Sequence, residues 1–252
     1  SYSCQSANIN PETPMVLDIK AIQYLNGANL NYNSADTTYL IDATKPFYKS
    51  IWDGGGNDTI SAKNFSTDCV IDLRAGHYSS LKFIAQSDPL NGNGWSVPPP
   101  KSTYDGTNNL GIAYDCIIEN AVGGTGNDNI IGNDANNYLT GGAGNDMLDG
   151  GNGIDTAIYL GKRANYSIRF NVRSQTYSVS CFNSNEDGTD VLSNIERLQF
   201  NANNSVTLNF DFNGLVSADI LAFSANDIAD LTSKQIGSMS SATVSWLTSS
   251  QV

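Results

Sequence analysis

Histidine is almost absent from this chain of 252 residues: there is one, His77. Glutamate is scarce as well, because 21 of the 25 acidic residues are Asp and only 4 are Glu. Glu favours helix interiors, so its scarcity argues against a helical protein. Basic residues number 13, and the net charge of -12 excludes a fold-wide basic footprint for nucleic acid or an anionic membrane surface. No run of about 18 apolar residues occurs, so no membrane-spanning helix is expected. Ser1-Tyr2-Ser3-Cys4 shows no basic stretch followed by an apolar one, so no cleavable signal peptide is visible. The four cysteines (Cys4, Cys69, Cys116 and Cys181) are far apart and form no CxxC pair, which excludes the usual zinc spacing. Two disulfides in any of three connectivities, or four buried thiols, remain open.

What the chain has in abundance is Asp, Asn and Gly: 21, 31 and 23 residues. These types favour tight turns and oxygen-rich loops that suit a hard cation. Only 15% of residues are charged, too few for a disordered acidic tail. The length allows one elongated domain or two small ones.

Residues 11–27 read as a helix, with Thr13 as N-cap, Pro14 in the first turn and Gly27 as the stop. Val16, Ile19, Ile22 and Leu25 form its apolar stripe. Short strands follow from Tyr39 to Leu81, among them Cys69 to Leu73, and residues 86–109 read as a long polar loop.

An internal repeat dominates the middle of the chain. Gly123-Gly-Thr-Gly-Asn-Asp128-Asn-Ile-Ile is followed by Gly132-Asn-Asp-Ala-Asn-Asn137-Tyr-Leu-Thr. Gly141-Gly-Ala-Gly-Asn-Asp146-Met-Leu-Asp and Gly150-Gly-Asn-Gly-Ile-Asp155-Thr-Ala-Ile come next. Three fit the calcium-binding nonapeptide G-G-x-G-x-D-x-U-x, and the second is degenerate. A partial copy stands at Asp53-Gly-Gly-Gly-Asn-Asp58-Thr-Ile60. Six residues make a turn and three a short strand, so two repeats close one coil of about 18 residues. Alternate loops then stack about 4.8 Å apart. Glycines at the first, second and fourth positions are expected to turn with φ > 0. Carbonyls and the sixth-position Asp would face the gap between loops and offer about six oxygens, a set for Ca²⁺ rather than Mg²⁺ or Zn²⁺. The eighth positions, Ile130, Leu139, Leu148 and Ala157, are the apolar plugs. Without cation the stacked carboxylates repel, so folding is expected to be linked to metal.

Residues 157–210 alternate as strands. Ile168, Phe170 and Val172 share one face, and Tyr177, Val179 and Cys181 share another. From Phe223 an eight-residue rhythm (Phe223/Ile228, Leu231/Ile236, Met239/Val244, Leu247/Val252) reads as stacked one-turn helices.

Asp18-Ile-Lys-Ala-Ile-Gln-Tyr-Leu-Asn-Gly-Ala-Asn29, Trp52-Asp-Gly-Gly-Gly-Asn-Asp-Thr59, Ile118-Glu-Asn-Ala-Val-Gly-Gly124 and the nonapeptides resemble, in that order, the C-terminal part of the serralysins. These are secreted bacterial zinc proteases of the metzincin clan. The resemblance covers roughly residues 1–158. It implies a parallel (RTX) β-roll with flanking strands. With one N-terminal helix and a short-helix tail read from the residues, the tail being unlike a serralysin C-terminus, the expected fold is mainly β. The resemblance also implies about four Ca²⁺ ions. A first site would use Asn33, Ala35, Thr37, Asp53 and Gly55. A second would use Gly56, Asp58, Ile117 and Glu119. In the roll, Gly124, Gly126 and Asp128 would face Gly141, Ala143 and Asp146. On the other flank Asn133, Ala135 and Asn137 would face Gly150, Asn152 and Asp155, with less charge because Asn137 replaces a carboxylate. The loop Asn33-Ser-Ala departs from the family pattern.

The zinc helix H-E-x-x-H-x-x-G-x-x-H is absent, and His77 is expected in an exposed loop or at a strand end. Ser1-Tyr2 resembles the segment after the family's Met-turn, where the tyrosine can bind zinc. The chain thus looks like a serralysin whose catalytic half lies upstream or has been removed, although an initiator Met cleaved before Ser1 would give the same start. Residues 155–200 resemble a β module that follows such repeats in secreted bacterial proteins. Within it Asp187 and Asp190 read either as plain turn residues or as a further cation site.

The expected organisation is a helix and strand region over 1–122, the nonapeptide roll over 123–158, a β cap over 159–210 and the octad tail over 211–252. The expected function is a secreted, extracellular, non-catalytic calcium module. It would support type I export and follow an N-terminal protease domain, with calcium and the type I secretion machinery as partners. The alternative is a free-standing calcium-dependent adhesin or matrix protein, with the tail as an export signal, self-association surface or packing lid. No carboxylate pairs with a recognisable base or nucleophile outside the loops, although a two-Asp glycosidase stays open.

Overall fold

A computed structural model describes residues 11–83, 105–171, 174, 176–182, 187–201, 204–207 and 241–249. Cys4, the long polar loop up to residue 104 and most of the octad tail lie outside these residues. The architecture is a parallel β-roll, with two sheets wound from alternate strands of one coil and no closed barrel among the described residues.

One sheet runs β1 (Thr38–Leu40), β3 (Thr59–Ser61), β7 (Asn120–Val122), β9 (Tyr138–Thr140), β11 (Thr156–Tyr159), β15 (Arg197–Phe200) and β16 (Asn204–Thr207). The other contains β4 (Val70–Asp72), β8 (Asn129–Asn133), β10 (Met147–Gly151) and β14 (Thr189–Ser193). The hairpin of β12 (Tyr166–Asn171) and β13 (Thr176–Cys181) extends it. Parallel register places Ile60, Ala121, Leu139, Ala157 and Leu198 in one file. Ile71, Ile130, Leu148 and Leu192 make the other. Every one of these side chains is buried. The files pass beyond the repeats in both directions, so 59–73 and 189–200 supply rungs of the same ladder.

Two small residue files make a thin core, and bulkier groups close its ends. Tyr159, Tyr166 and Phe200 pack ring against ring with centroids 5.0–5.4 Å apart. Phe47 and Phe65 meet Phe83 at the other end. A small sheet of β2 (Lys49–Ile51), β6 (Leu110–Ile112) and β5 (Tyr78–Ser79) lies beside the Phe47 end.

The N-terminal helix α1 spans Val16–Asn26, and Gly27 stops it at φ 79 with its N–H on Gln23 O. Its start is not where the sequence suggested. Met15 is the N-cap, and Asp18 accepts the Met15 N–H. Thr13 is engaged elsewhere: its hydroxyl donates to Ser50 O and accepts the Ser50 N–H, which ties the approach segment to β2. The expected stripe is only partly used. Val16 is buried and Ile19 packs on the core, whereas Ile22 and Leu25 are exposed. The helix is held through its N-terminal half, where Lys20 also pairs with Asp115 at 2.6 Å, while Ile22, Tyr24 and Leu25 beyond it are exposed. At the other terminus, Ser241–Ser245 form a short helix, and Trp246 and Leu247 pack on the core.

Cys69, Cys116 and Cys181 are free thiols, which removes the two-disulfide alternative. His77 lies in the turn before β5, half exposed, with Nδ1 3.5 Å from Asp72 Oδ2. No helix among the described residues is long and apolar enough to cross a membrane.

Candidate metal centre

Parallel stacking puts the residue before each strand directly over its counterpart in the next coil. Two columns result. On one flank they are Cys69, Asp128 and Asp146, immediately before the paired strands β4, β8 and β10, and Asp190, the second residue of β14, which stacks on Asp146. On the other they are Thr37, Asp58, Glu119, Asn137, Asp155 and Glu196. Within a column, main-chain N–H groups donate to side chains one coil on. Cys69 N bonds Asp128 Oδ1 and Asp128 N bonds Asp146 Oδ1, both at 2.7 Å, and Asp146 N bonds Asp190 Oδ1 at 2.9 Å. Opposite, Thr37 N reaches Asp58 Oδ1, Asp58 N reaches Glu119 Oε2, Asn137 N reaches Asp155 Oδ1 and Asp155 N reaches Glu196 Oε2, all at 2.7–2.8 Å.

The second carboxylate oxygen has a different fate from turn to turn. Asp128 Oδ2 accepts the N–H of Gly124 at 2.6 Å. Asn133 N–H likewise donates to Asn137 Oδ1, and the Asn137 amide donates to Glu119 O and Asn133 Oδ1. These turns cap themselves. Gly142 and Gly151 sit instead at φ 101 and 90. With those two peptides turned, Asp146 Oδ2 and Asp155 Oδ2 are buried without any hydrogen-bond partner. Asp58 Oδ2, beside Gly55 and Gly56 at φ 141 and 134, is orphaned too. A buried acceptor left unpaired costs about 1–3 kcal/mol, more when charged.

Positive φ does not extend to the first-position glycines. There the requirement is close approach: a Cβ on Gly141 would stand closer than 3.0 Å to Asp146 Oδ2. Gly124 and Gly126 are also outside the positive-φ set, which corrects the uniform expectation.

The other expected residues fall into place around the columns. Ala143 N donates to Gly124 O at 3.1 Å, so the loops of Asp128 and Asp146 lie face to face. A Cβ on Gly144 would meet Gly126 O. Asn152 Nδ2 donates to Asp134 Oδ1, and Ala135 N to Asn133 Oδ1, in the stacked turns that begin at Gly150 and Gly132. Gly56 packs on Ala35, beside Asp58 and Glu119, while the Ile117 side chain is exposed. Around Asp53 the oxygens are already engaged. Oδ1 accepts Gly55 N–H, Oδ2 accepts the Tyr39 hydroxyl at 2.6 Å, and Asn33 donates to that hydroxyl. Thr37 Oγ1 donates to Ala35 O.

Two features escaped the reading of the sequence. Fifth-position amides form ladders of their own: Asn127 N bonds Asp68 Oδ1, Asn145 N bonds Asn127 Oδ1 and Thr189 N bonds Asn145 Oδ1, all at 2.8 Å. Asn136 does the same for Ile154 N. The recurrence of Asn before the sixth-position residue was the available signal. The columns also continue to Glu196, which no repeat signal marks, and to Asp190. The sequence left Asp190 open as a turn residue or a cation site, and it closes Gly188-Thr-Asp190 as the sixth position of half a nonapeptide.

Burial dominates the electrostatics of the columns. It pushes the Asp58 carboxyl up to about 6, helped by the charges of Asp53 and Glu119. It pushes Asp146 up to about 7 with help from Asp128, and Asp155 to about 7 with help from Glu196. Asp190 rises to about 8, again chiefly by burial. No three His, Cys, Asp or Glu side chains converge among the described residues, so a cation here draws on main-chain carbonyls as well. Orphaned, buried, oxygen-only donors beside glycine-lined gaps fit a hard cation such as Ca²⁺ and not the N and S preference of Zn²⁺.

Serralysin of Proteus mirabilis is 33% identical over 127 residues, covering 46% of this chain and 21% of that protein. Serralysin C of Dickeya chrysanthemi is 37% identical and metallopeptidase AprA of Pseudomonas marginalis 34%, each over 127 residues and 22% of its length. The chain thus matches about a fifth of the length of these relatives. The family described as Peptidase M10 serralysin C terminal matches residues 21–86 and 104–245. The chain belongs to the serralysin C-terminal family of the M10 peptidases.

Proposed function

We propose that the chain is a non-catalytic, secreted calcium-binding module of a serralysin-like protein, folded by Ca²⁺ outside the cell. The observation that carries this reading is the set of buried carboxylate oxygens without partners on Asp58, Asp146 and Asp155. Each belongs to a turn whose backbone has given up its own capping N–H. Asp128 with Asp146, Asn137 with Asp155, and Asp58 with Glu119 would supply the charged or amide ligands. Carbonyls of their glycine-rich turns would complete the shells, with Asp53 and its loop as a further site.

Bound Ca²⁺ supplies positive charge and six to eight oxygen contacts. The chain's own residues hold the turns in register through the N–H ladders and keep the carboxylates out of water. Extracellular modules bind Ca²⁺ with Kd of roughly 10⁻⁴–10⁻³ M. At about 1 mM Ca²⁺ and a Kd of about 0.1 mM, one site contributes about 1.4 kcal/mol, so about four sites are comparable with the stability of a whole domain. Cytosolic Ca²⁺ is far lower. The chain would therefore stay loose before export through a type I channel and tighten on arrival. The serralysin relatives support an N-terminal protease domain as the partner in cis.

Far-UV circular dichroism at pH 7.5 tests this. Addition of 1 mM Ca²⁺ to chelated protein is expected to build the β spectrum and raise the melting temperature. An identical spectrum and melt in EGTA would refute it.

A further inference from the structure

The last nonapeptide turn, Gly150 to Asp155, has a neighbour on each side. Towards the repeats, Asn137 N–H occupies Asp155 Oδ1. Away from them lies the turn Asn194-Ile195-Glu196, which connects β14 to β15 and belongs to no repeat. Its contacts copy those between repeats. A Cβ on Gly132 would stand closer than 3.0 Å to both Gly150 O and Asn137 Oδ1. A Cβ on Gly150 would stand equally close to Asn194 O and Asp155 Oδ2. The carbonyl of Asn194 and the carboxylate of Asp155 therefore converge on one small space, as Gly150 and Asn137 do one coil earlier.

The difference is chemical. Asn137 satisfies its own amide, whereas Asp155 is 0% exposed and its Oδ2 has no partner. Its N–H donates to Glu196 Oε2 at 2.8 Å, which brings a second carboxylate to the same gap. Asn194 sits at φ 50, and its side-chain amide donates to Asp149 Oδ1 at 2.7 Å, which pins the short turn. Among the described residues the ion pairs join Lys20, Arg74 and His77 to Asp115 and Asp72, and none reaches Asp155 or Glu196.

We infer that Asp155, Glu196 and the main-chain carbonyl of Asn194 form a further divalent-cation site of calcium type, one turn beyond the last repeat. It rests on the calcium-module reading above and adds to it. The site is oxygen-only, carries two carboxylates and combines a carbonyl with acidic side chains, which is the donor set of Ca²⁺. The segment after the repeats then acts as a ligand-bearing rung, and counting nonapeptides underestimates the ions bound.

Equilibrium dialysis of the full chain against calcium tests it, with Glu196→Gln as the isosteric variant. The wild type is expected to hold one ion more than the variant, while the variant melts no lower in EGTA. Equal ion counts would overturn the inference. If Glu196→Gln does not fold, crystals of the wild type grown with calcium decide. An ion is expected about 2.3–2.6 Å from Asp155 Oδ2 and Asn194 O. Ions within the repeats with none in contact with Glu196 or Asn194 O would overturn this site and leave the calcium module standing. A wild type that takes up no calcium would overturn both.

Discussion

The backbone N–H of Asp128 donates to Oδ1 of Asp146, 18 residues later and one coil away, at 2.7 Å, while Oδ2 of the same carboxylate is buried without a donor. One oxygen holds the fold, and the proposed calcium reading assigns the other to a cation. That division of labour gives the metal-free protein a particular pH response. Asp58, Asp146, Asp155 and Asp190 have carboxyls raised to about 6, 7, 7 and 8. An acid raised in the folded state binds its proton more tightly there than in the unfolded chain. The folded state thus holds more protons between the unfolded value and the raised one, and stability falls as pH rises. In EGTA the melting temperature is expected to be highest near pH 4–5 and to decline through pH 8. With saturating Ca²⁺ the decline is expected to vanish, because Ca²⁺ and protons compete for the same oxygens. Melts at stepped pH, with and without Ca²⁺, check both.

Asn137→Asp keeps an acceptor for the Asn133 N–H but exchanges the amide for a charged carboxylate. It removes the amide donors to Glu119 O and Asn133 Oδ1 and sets a second carboxylate against Asp155. The variant is expected to melt lower in EGTA and to bind Ca²⁺ more tightly than wild type. Calorimetric titration reads the second effect, and unchanged affinity would count against the column as the binding element.

Much of this was legible beforehand. The nonapeptide spacing announced the roll, its parallel register and the stacking of Asp128 on Asp146, because a strict period leaves little freedom in where the chain folds back. What was not legible depends on geometry a repeat does not spell out. Ile22 and Leu25 share the helical stripe with Val16, but periodicity cannot say how far a helix stays in contact with its neighbour. Thr13 carries the chemistry of an N-cap, and a main-chain partner at Ser50 won it. Asp190 and Glu196 join the columns only because the β12–β13 hairpin returns the chain to the same register, 44 and 41 residues after Asp146 and Asp155. Neither number is a multiple of the repeat.

The thin core makes the plugs costly to trim. Leu148 lies between Ile130 and Leu192 at 1% exposure. Leu148→Ala is expected to lose about 2–5 kcal/mol. Urea unfolding in saturating Ca²⁺ reads that loss directly, and a loss below about 1 kcal/mol would show that the file is not a close-packed core.

Gly142→Ala tests the turned peptide. The new Cβ would meet Gly124 O closer than 3.0 Å, and φ 101 is strained for any side chain. The expected cost is about 2–4 kcal/mol from strain and overpacking together. Because its cause is steric, a similar loss is expected in Ca²⁺ and in EGTA, which thermal melts in both buffers will show.

The triple variant Asp58→Asn, Asp146→Asn, Asp155→Asn bears on the central claim, since it neutralises the three carboxylates whose second oxygens are stranded. Melting temperature is followed across a calcium titration for this variant and the wild type. The wild type is expected to climb steadily with calcium, and the variant is expected to start higher in EGTA and stay nearly flat. Parallel climbs of equal size, or no climb in the wild type, would contradict the assignment of those oxygens to the cation.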